Sequence, residues 1–252
     1  MGLRDWLFRN KGTDGEEGVA KGNRTIIRHQ KKLMNKYVQT MERKRTIGLL
    51  AEIGSEEAIT ALLGRFTYVT DGSIVDEDEK ELVYEVIRSM GNSAVPALRK
   101  FVLGELSIYW PLKALTEIAG EEEAVRTLME ALDGIQDRFD RSMERMNNIV
   151  SCFRDYHYPE VLRKLIELAS DESEEIRFMA IDGLTTFDEY KEAVDVIIER
   201  LVDDEETNRV KTYIMDTLIE RNWPVKKYKK QLLGKLPDNY FVDDTGVIQR
   251  RF

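Results

Sequence analysis

The hexapeptide EAITAL, Glu57–Leu62, returns as EAVRTL at Glu123–Leu128, with looser copies SAVPAL from Ser93 and EAVDVI from Glu192. Aligning its second residue through the chain places Ala58, Ala94, Ala124, Glu160, Ala193 and Pro224 in equivalent positions, at intervals of 36, 30, 36, 33 and 31 residues. A period of this size marks an array of similar supersecondary units, because each unit buries its apolar face only against its neighbours. Upstream of each copy lies a second amphipathic segment: TIGLLAEIG, VYEVIRSMG, PLKALTEIAG, NIVSCFRDY, MAIDGLTTF and YIMDTLIER. Every unit therefore reads as helix, short turn and helix, with Gly54, Gly91 and Gly120 as helix stops. The expectation is an all-α chain of about six helical hairpins, since no segment before the tail alternates like a strand.

The best-formed copy runs DESEEIRFMAIDGL, Asp171–Leu184, with Ile176, Ala180, Ile181 and Leu184 at helical spacing and acidic residues at the positive end of the helix dipole. Together with Gly54, Arg177 and the Ala-Val/Ile pairs, this pattern resembles the HEAT repeat, in the HEAT-like form named after phycobilisome lyases, across residues 42–234. The fourth copy, RMNNIVSCFRDY, lacks the small residue and the glycine. The resemblance implies a right-handed α-α superhelix, an α-solenoid with the second helix of each pair on the concave face. Ala58, Ala94, Ala124 and Ala193 are then small where a second helix approaches its neighbour closely.

The ends depart from the repeat. Residues 1–23 read as a short apolar tip, with Leu3, Trp6, Leu7 and Phe8, on a flexible glycine-rich tether from Asn10 to Asn23. Residues 24–41 read as one basic amphipathic helix whose stripe is Ile26, Leu33, Met34, Tyr37, Val38 and Met41. Residues 235–252 form a tail, in which NYFVDDTGVIQ, Asn239–Gln249, reads as a hairpin turning at Asp243-Asp244-Thr245-Gly246 and capping the last repeat.

Charge narrows the partners. The net charge is −9, yet residues 1–45 hold 12 Lys/Arg against 5 Asp/Glu, residues 46–220 hold 18 against 39, and residues 221–252 hold 8 against 3. An acidic body makes nucleic acid an unexpected partner, because duplex binders present a dominant basic face. The single cysteine, Cys152, forms no internal disulfide and lies in an apolar stripe as a core residue, which suits a cytoplasmic, reducing setting. No apolar run reaches transmembrane length.

Reaction chemistry finds little to work with. Deoxyhypusine hydroxylase and similar metal-dependent HEAT-like oxygenases use paired His-Glu motifs, and neither His29 nor His157 is followed by glutamate. His29 reads as a solvated residue of the basic helix and His157, in YHYP, as a turn residue. DGSIVDEDEKE, Asp71–Glu81, has its glycine misplaced for a calcium loop and reads as an acidic loop leading into a helix. Glu121–Glu123 and Asp203–Glu206 read as solvated loops of the same kind. Of the two Trp-Pro pairs, Trp223-Pro224 reads as a helix start. No catalytic, metal or cofactor residues are expected.

Two candidate surfaces remain. Arg65, Arg99, Lys100, Arg126, Arg163, Lys164 and Arg200, with Lys226, Lys227, Lys229 and Lys230 farther on, lie on second helices, where a concave face could hold an anionic protein segment. Leu3, Trp6, Leu7 and Phe8 together with Arg28, Lys31, Lys32 and Lys36 could anchor the chain to a partner or to an anionic membrane surface. Burying the four apolar tip residues would yield roughly 6–12 kcal/mol. Ordering about eight residues costs on the order of 8–16 kcal/mol, so the tip needs the basic helix to hold it. The reading is a non-catalytic interaction scaffold. A peripheral membrane adaptor is the alternative, and a lyase-type or DNA-repair enzyme of the HEAT-like class a remote one.

Overall fold

The computed structural model describes the backbone of residues 13–251 and the side chains of residues 23–251, so the tip residues Leu3, Trp6, Leu7 and Phe8 lie outside the described residues. The described chain is all-α apart from one short hairpin. It divides into two compact units, residues 1–131 and 132–252.

The first unit holds α1 (Thr13–Leu33), α2 (Thr40–Ile53), α3 (Glu56–Leu63), α4 (Ser73–Ser89), α5 (Val95–Gly104), α6 (Tyr109–Ala119) and most of α7 (Glu121–Asp133). Helix α1 packs on α2 and α3, α2 on α4, α4 on α6, and α3 on α5. The shared seam contains Ile47, Leu50, Ile59, Leu62, Val83, Ile87, Leu98 and Leu115, with Ala58 and Ala94 fully buried among them. The local signals act as read from the sequence. Ser55 caps α3 by accepting the Ala58 N–H, at 3.3 Å. Gly54 ends α2 at φ +61°, a conformation that costs any residue with a Cβ.

The second unit holds α8 (Asp140–Cys152), α9 (Pro159–Leu168), α10 (Glu174–Leu184), α11 (Lys191–Val202), α12 (Asn208–Glu220), the one-turn α13 (Lys229–Leu232), β1 (Tyr240–Val242) and β2 (Ile248–Arg250). Here α8 packs on α10, α10 on α12, and α9 on α11. Ile176, Ala180, Ile181 and Leu184 of the best-formed repeat are all fully buried, as is Ala193. Strands β1 and β2 pair antiparallel, Phe241 opposite Gln249. Asp243 organises the turn: its Oδ1 accepts the N–H groups of Thr245 at 2.9 Å and Val247 at 3.0 Å. Helix α12 packs on β2, so the tail covers that helix as expected.

Side chains cross between elements at the period of the hexapeptide. Arg43 pairs with Glu79, 36 residues on; Arg138 with Asp171, 33 on; Arg177 with Glu206, 29 on; and Arg209 with Glu175, 34 back. Tyr84–Glu117 and Tyr213–Asp182 are hydrogen bonds of the same kind. Polar side chains some 29 to 36 residues apart thus tie neighbouring helices and loops together.

Several boundaries differ from the sequence reading. Residues 13–23, expected as tether, are helical: glycines lower helix propensity without forbidding it, and this stretch extends a helix whose later turns are packed. The single basic helix expected over 24–41 breaks after Leu33. Asn35 Oδ1 captures the Tyr37 N–H at 3.0 Å, and buried Arg43 donates to the loop carbonyls of Lys36 and Val38. Ile26 and Leu33 are buried, but Met34, Tyr37 and Met41 face solvent instead of joining the seam. The sixth pair is incomplete, because α12 is followed by a 3-10 turn, Lys226–Tyr228, and the short α13. Pro224 bridges to Val247, and the Val225 N–H donates to Gly246 O at 2.7 Å, so Trp223-Pro224 opens the cap rather than a helix.

Candidate functional site

The seven cations expected to form a basic concave face divide into three groups. Arg65 is a correction: it is 0% exposed and cannot meet a partner. Its Nε donates to Glu79 Oε2 at 2.8 Å and its Nη2 to Asp76 Oδ1 at 2.7 Å. Arg43 shares Glu79, and Lys80 pairs with Asp76 at 2.6 Å. Burial alone would raise the Asp76 carboxyl, but hydrogen bonds from Lys80, Arg65 and the Thr70 N–H overcome it and hold the group well below the usual carboxylate range. The stretch expected as an acidic loop is therefore helix from Ser73 onward, with two of its carboxylates inside the unit as counter-ions to buried arginines.

Arg99, Arg126, Lys164 and Arg200 form the second group, each held by carboxylates of its own unit. Arg99 reaches Glu123 and Glu130, Arg126 reaches Glu123, Lys164 pairs with Glu167, and Arg200 with Asp203. Lys100 and Arg163 are exposed and enter no ion pair among the described residues. The exposed positions of the same helices also carry Glu56, Glu57 and Glu130 in the first unit and Glu160, Glu167, Glu192 and Glu199 in the second. In each unit these positions are thus mixed in charge with an acidic excess. Glu130, Asp195 and Glu199 on the same helices already signalled such a mixed surface in the sequence, but not which cations they and their neighbours would engage.

The other acidic runs also change character. Glu121–Glu123 form the first turn of α7. Glu206 is buried and takes both Arg177 nitrogens, at 2.9 and 2.8 Å. A shallow cleft of about 320 Å³ in the second unit includes Arg138, Lys164, Glu167 and Asp171 in its wall, yet these groups satisfy one another, Arg138 binding Asp171 through two parallel contacts of 2.9 and 2.8 Å.

The remaining reactive side chains are placed quietly. Cys152 is buried, and desolvation, then Asp155, pushes its thiol up to about 12. His157 is exposed, its Nε2 lying 3.1 Å from Thr186 O and its ring 5.1 Å from that of Phe187. His29 is partly buried rather than fully solvated, and desolvation, Arg28 and Lys32 lower its pKa. Lys226, Lys227, Lys229 and Lys230 lie in the 3-10 turn and α13, not on a full second helix. Among the described residues, no group of three or more His, Cys, Asp and Glu is placed to hold a metal ion, and no helix is long and apolar enough to cross a membrane.

One surface was missed. At the α1–α2 end, Ile27 is 48% exposed, Met34 41%, Tyr37 84% and Met41 76%. The first three, with Gln30, Lys31, Asn35 and Lys36, line an open groove of about 630 Å³. The candidate anchor residues Arg28, Lys31 and Lys36 are exposed there, while Lys32 is partly covered and pairs with Glu42. Helical spacing alone put Met34, Tyr37 and Met41 on a buried stripe, since it carries no sign of the break after Leu33.

Comparison with known proteins adds no identity. No family model matches the chain and no curated protein matches it. Two crystal structures of engineered proteins are similar to it, each at 14% identity. The first covers 89% of this chain with a TM-score of 0.34, and the second 83% with a TM-score of 0.31. The chain spans 64% of the length of the first and 84% of the second.

Proposed function

We propose that the chain is a non-catalytic protein-interaction scaffold built as a HEAT-like α-solenoid of right-handed superhelical kind. The observation that carries the reading is the packing order inside each unit. Alternate helices contact one another, α2 on α4 on α6 and α8 on α10 on α12, while α3 packs on α5 and α9 on α11. Such stacking presents one helix per repeat to the same side, so a partner segment can be read along several repeats without a deep pocket. The partner is another protein. Because five of the seven candidate cations are already paired and the exposed positions of the second helices carry a carboxylate excess, its complementary segment is basic or mixed rather than the anionic one first expected. A reducing, cytoplasmic setting belongs to the same reading and is supported by the lone, buried Cys152.

The test is affinity purification of the full chain from its native cell, with cross-linking and mass spectrometry to map the contacts. Cross-links concentrated on α3, α5, α7, α9 and α11, and lost from a Glu130→Lys/Glu167→Lys variant that keeps its helical circular dichroism, support the proposal. A single binding locus away from these helices, or capture indifferent to the variant, rejects it.

A further inference from the structure

We infer that the α1–α2 end is a docking surface for an anionic lipid bilayer, a role separate from the interaction face above and independent of it. Three observations converge. First, helix α1 has three faces rather than two. At about 100° per residue, Ile27 and Met34 point to nearly the same side, roughly 100° around the axis from Ile26 and Leu33, which pack inward. The exposed apolar residues form a second stripe beside the core stripe, in which Ile27 and Met34 are each about half open to solvent, Met34 also lying against Gly64. Tyr37 and Met41 extend it past the end of the helix.

Second, the charge around this stripe has one sign. Residues 23–41 contain no Asp or Glu, and they carry Arg24, Arg28, Lys31, Lys32 and Lys36. Glu42, the first carboxylate afterwards, is engaged by Lys32. On the α1 wheel, Lys31 and Arg28 fall on the flank of Ile27 and Met34 away from the core. Long lysine and arginine stems there can keep their charges at headgroup level while apolar tips enter the acyl boundary. The stretch from 46 to 220, with 18 cations against 39 anions, offers an anionic surface no attraction of its own, which leaves such binding to local basic segments like this one.

Third, the surface is open and lacks the fixed reading groups of a peptide site. Its groove is lined by Ile27, Lys31, Met34, Lys36 and Tyr37 together with the amides Gln30 and Asn35, of which Asn35 Oδ1 is already engaged by the Tyr37 N–H. Tyr37 is nearly fully exposed, with the Lys36 ammonium 5.3 Å from its ring centroid. An amphipathic aromatic beside lysines is the composition of an interfacial belt, which asks of its partner only negative charge and an accessible hydrocarbon layer.

The test is co-sedimentation of the full chain with vesicles of phosphatidylcholine alone and of phosphatidylcholine with about one third phosphatidylserine. The expected result is binding to the anionic vesicles only, weakening as salt is raised. Lys31→Glu/Lys36→Glu should weaken binding at least about 25-fold, from about fivefold per cation removed. Ile27→Ser/Tyr37→Ser should weaken it while leaving the salt dependence in place. All four side chains are exposed, so unchanged circular dichroism is expected and is the control for folding. Equal binding to both vesicle types overturns the inference. So does binding that neither pair alters, which would move the contact to residues 2–9, and so does absence of sedimentation, which would leave the stripe to a protein partner.

Discussion

Replacing Glu79 by glutamine should destabilise the first unit more than any surface charge change. The Glu79 side chain is 0% exposed and accepts from Arg65 Nε at 2.8 Å and from Arg43 Nε at 3.0 and 3.1 Å. Glutamine keeps the shape, so no cavity opens, but its amide hydrogens face two guanidinium groups. Buried Arg43 would then lose its carboxylate partner, and Arg65 would be left with Lys80 on one carboxylate, Asp76. At an effective dielectric near 20, each contact of about 4 Å is of order 4 kcal/mol before desolvation is considered. Breaking a buried pair by removing one partner costs about 3–5 kcal/mol. Against a total of about 5–15 kcal/mol, that is a large share. In urea, with a slope of about 2 kcal/mol per molar, the midpoint of the affected transition should fall by roughly 1.5–2.5 M, read by circular dichroism and by fluorescence of Trp110, which packs near Phe66 and Tyr84. The control is Arg99→Gln, a partly exposed arginine whose partners are the half-buried Glu123 and the exposed Glu130, and whose loss should stay near 1 kcal/mol, well below that of the fully buried pair. If Glu79→Gln shifts the midpoint no more than Arg99→Gln does, the cluster is not holding the unit together and the reasoning fails.

Three further outcomes follow from other sites. Asp76, Asp171 and Glu206 all sit below the usual carboxylate range despite burial, which opposes it, because arginine, lysine and backbone N–H donors hold them ionised. Folded values below the unfolded ones mean stability that is complete above about pH 5 and lost as pH falls through about 4 and below, so urea midpoints flat from pH 7 to 3 would contradict the assignment. Cys152 should resist Ellman's reagent at pH 8 in the native protein and react readily in urea; equal rates in both would show that its thiol is neither buried nor raised. Gly183→Ala places a methyl 2.9 Å from both Leu165 Cδ atoms across the α9–α10 contact, and should cost about 1–3 kcal/mol with partial recovery on adding Leu165→Val; a neutral single variant would mean that contact is loose.

Helix ends and small core residues could be read from the sequence because their signals are local. Ala58, Ala94, Ala124 and Ala193 are small at a regular interval, and the structure buries all four completely. Gly54, Gly91 and Gly120, picked as helix stops, all take positive φ. The tail hairpin was equally legible, since Asp243 to Gly246 carry their own turn chemistry. The candidate site was legible as cations with carboxylates on the same helices. Arg126, Lys164 and Arg200 meet carboxylates three residues away, whereas Arg99 is engaged by Glu123 and Glu130, 24 and 31 residues on. Nothing near Arg65 in the chain announces that Asp76 and Glu79 will close over it, 11 and 14 residues later.

The division between the two levels is sharp at the N-terminal end. Composition and spacing pointed to an all-α chain with basic terminal segments and an acidic middle, because helical periodicity, capping residues and net charge need no distant partner to act. Tertiary packing settled the fate of individual side chains. It ended α1 at Leu33, turned Ile27, Met34, Tyr37 and Met41 outward, and drew Arg65 into the interior. Burial and ion pairing are properties of neighbours in space, and a period in the chain says which positions recur, not which of them the fold will cover.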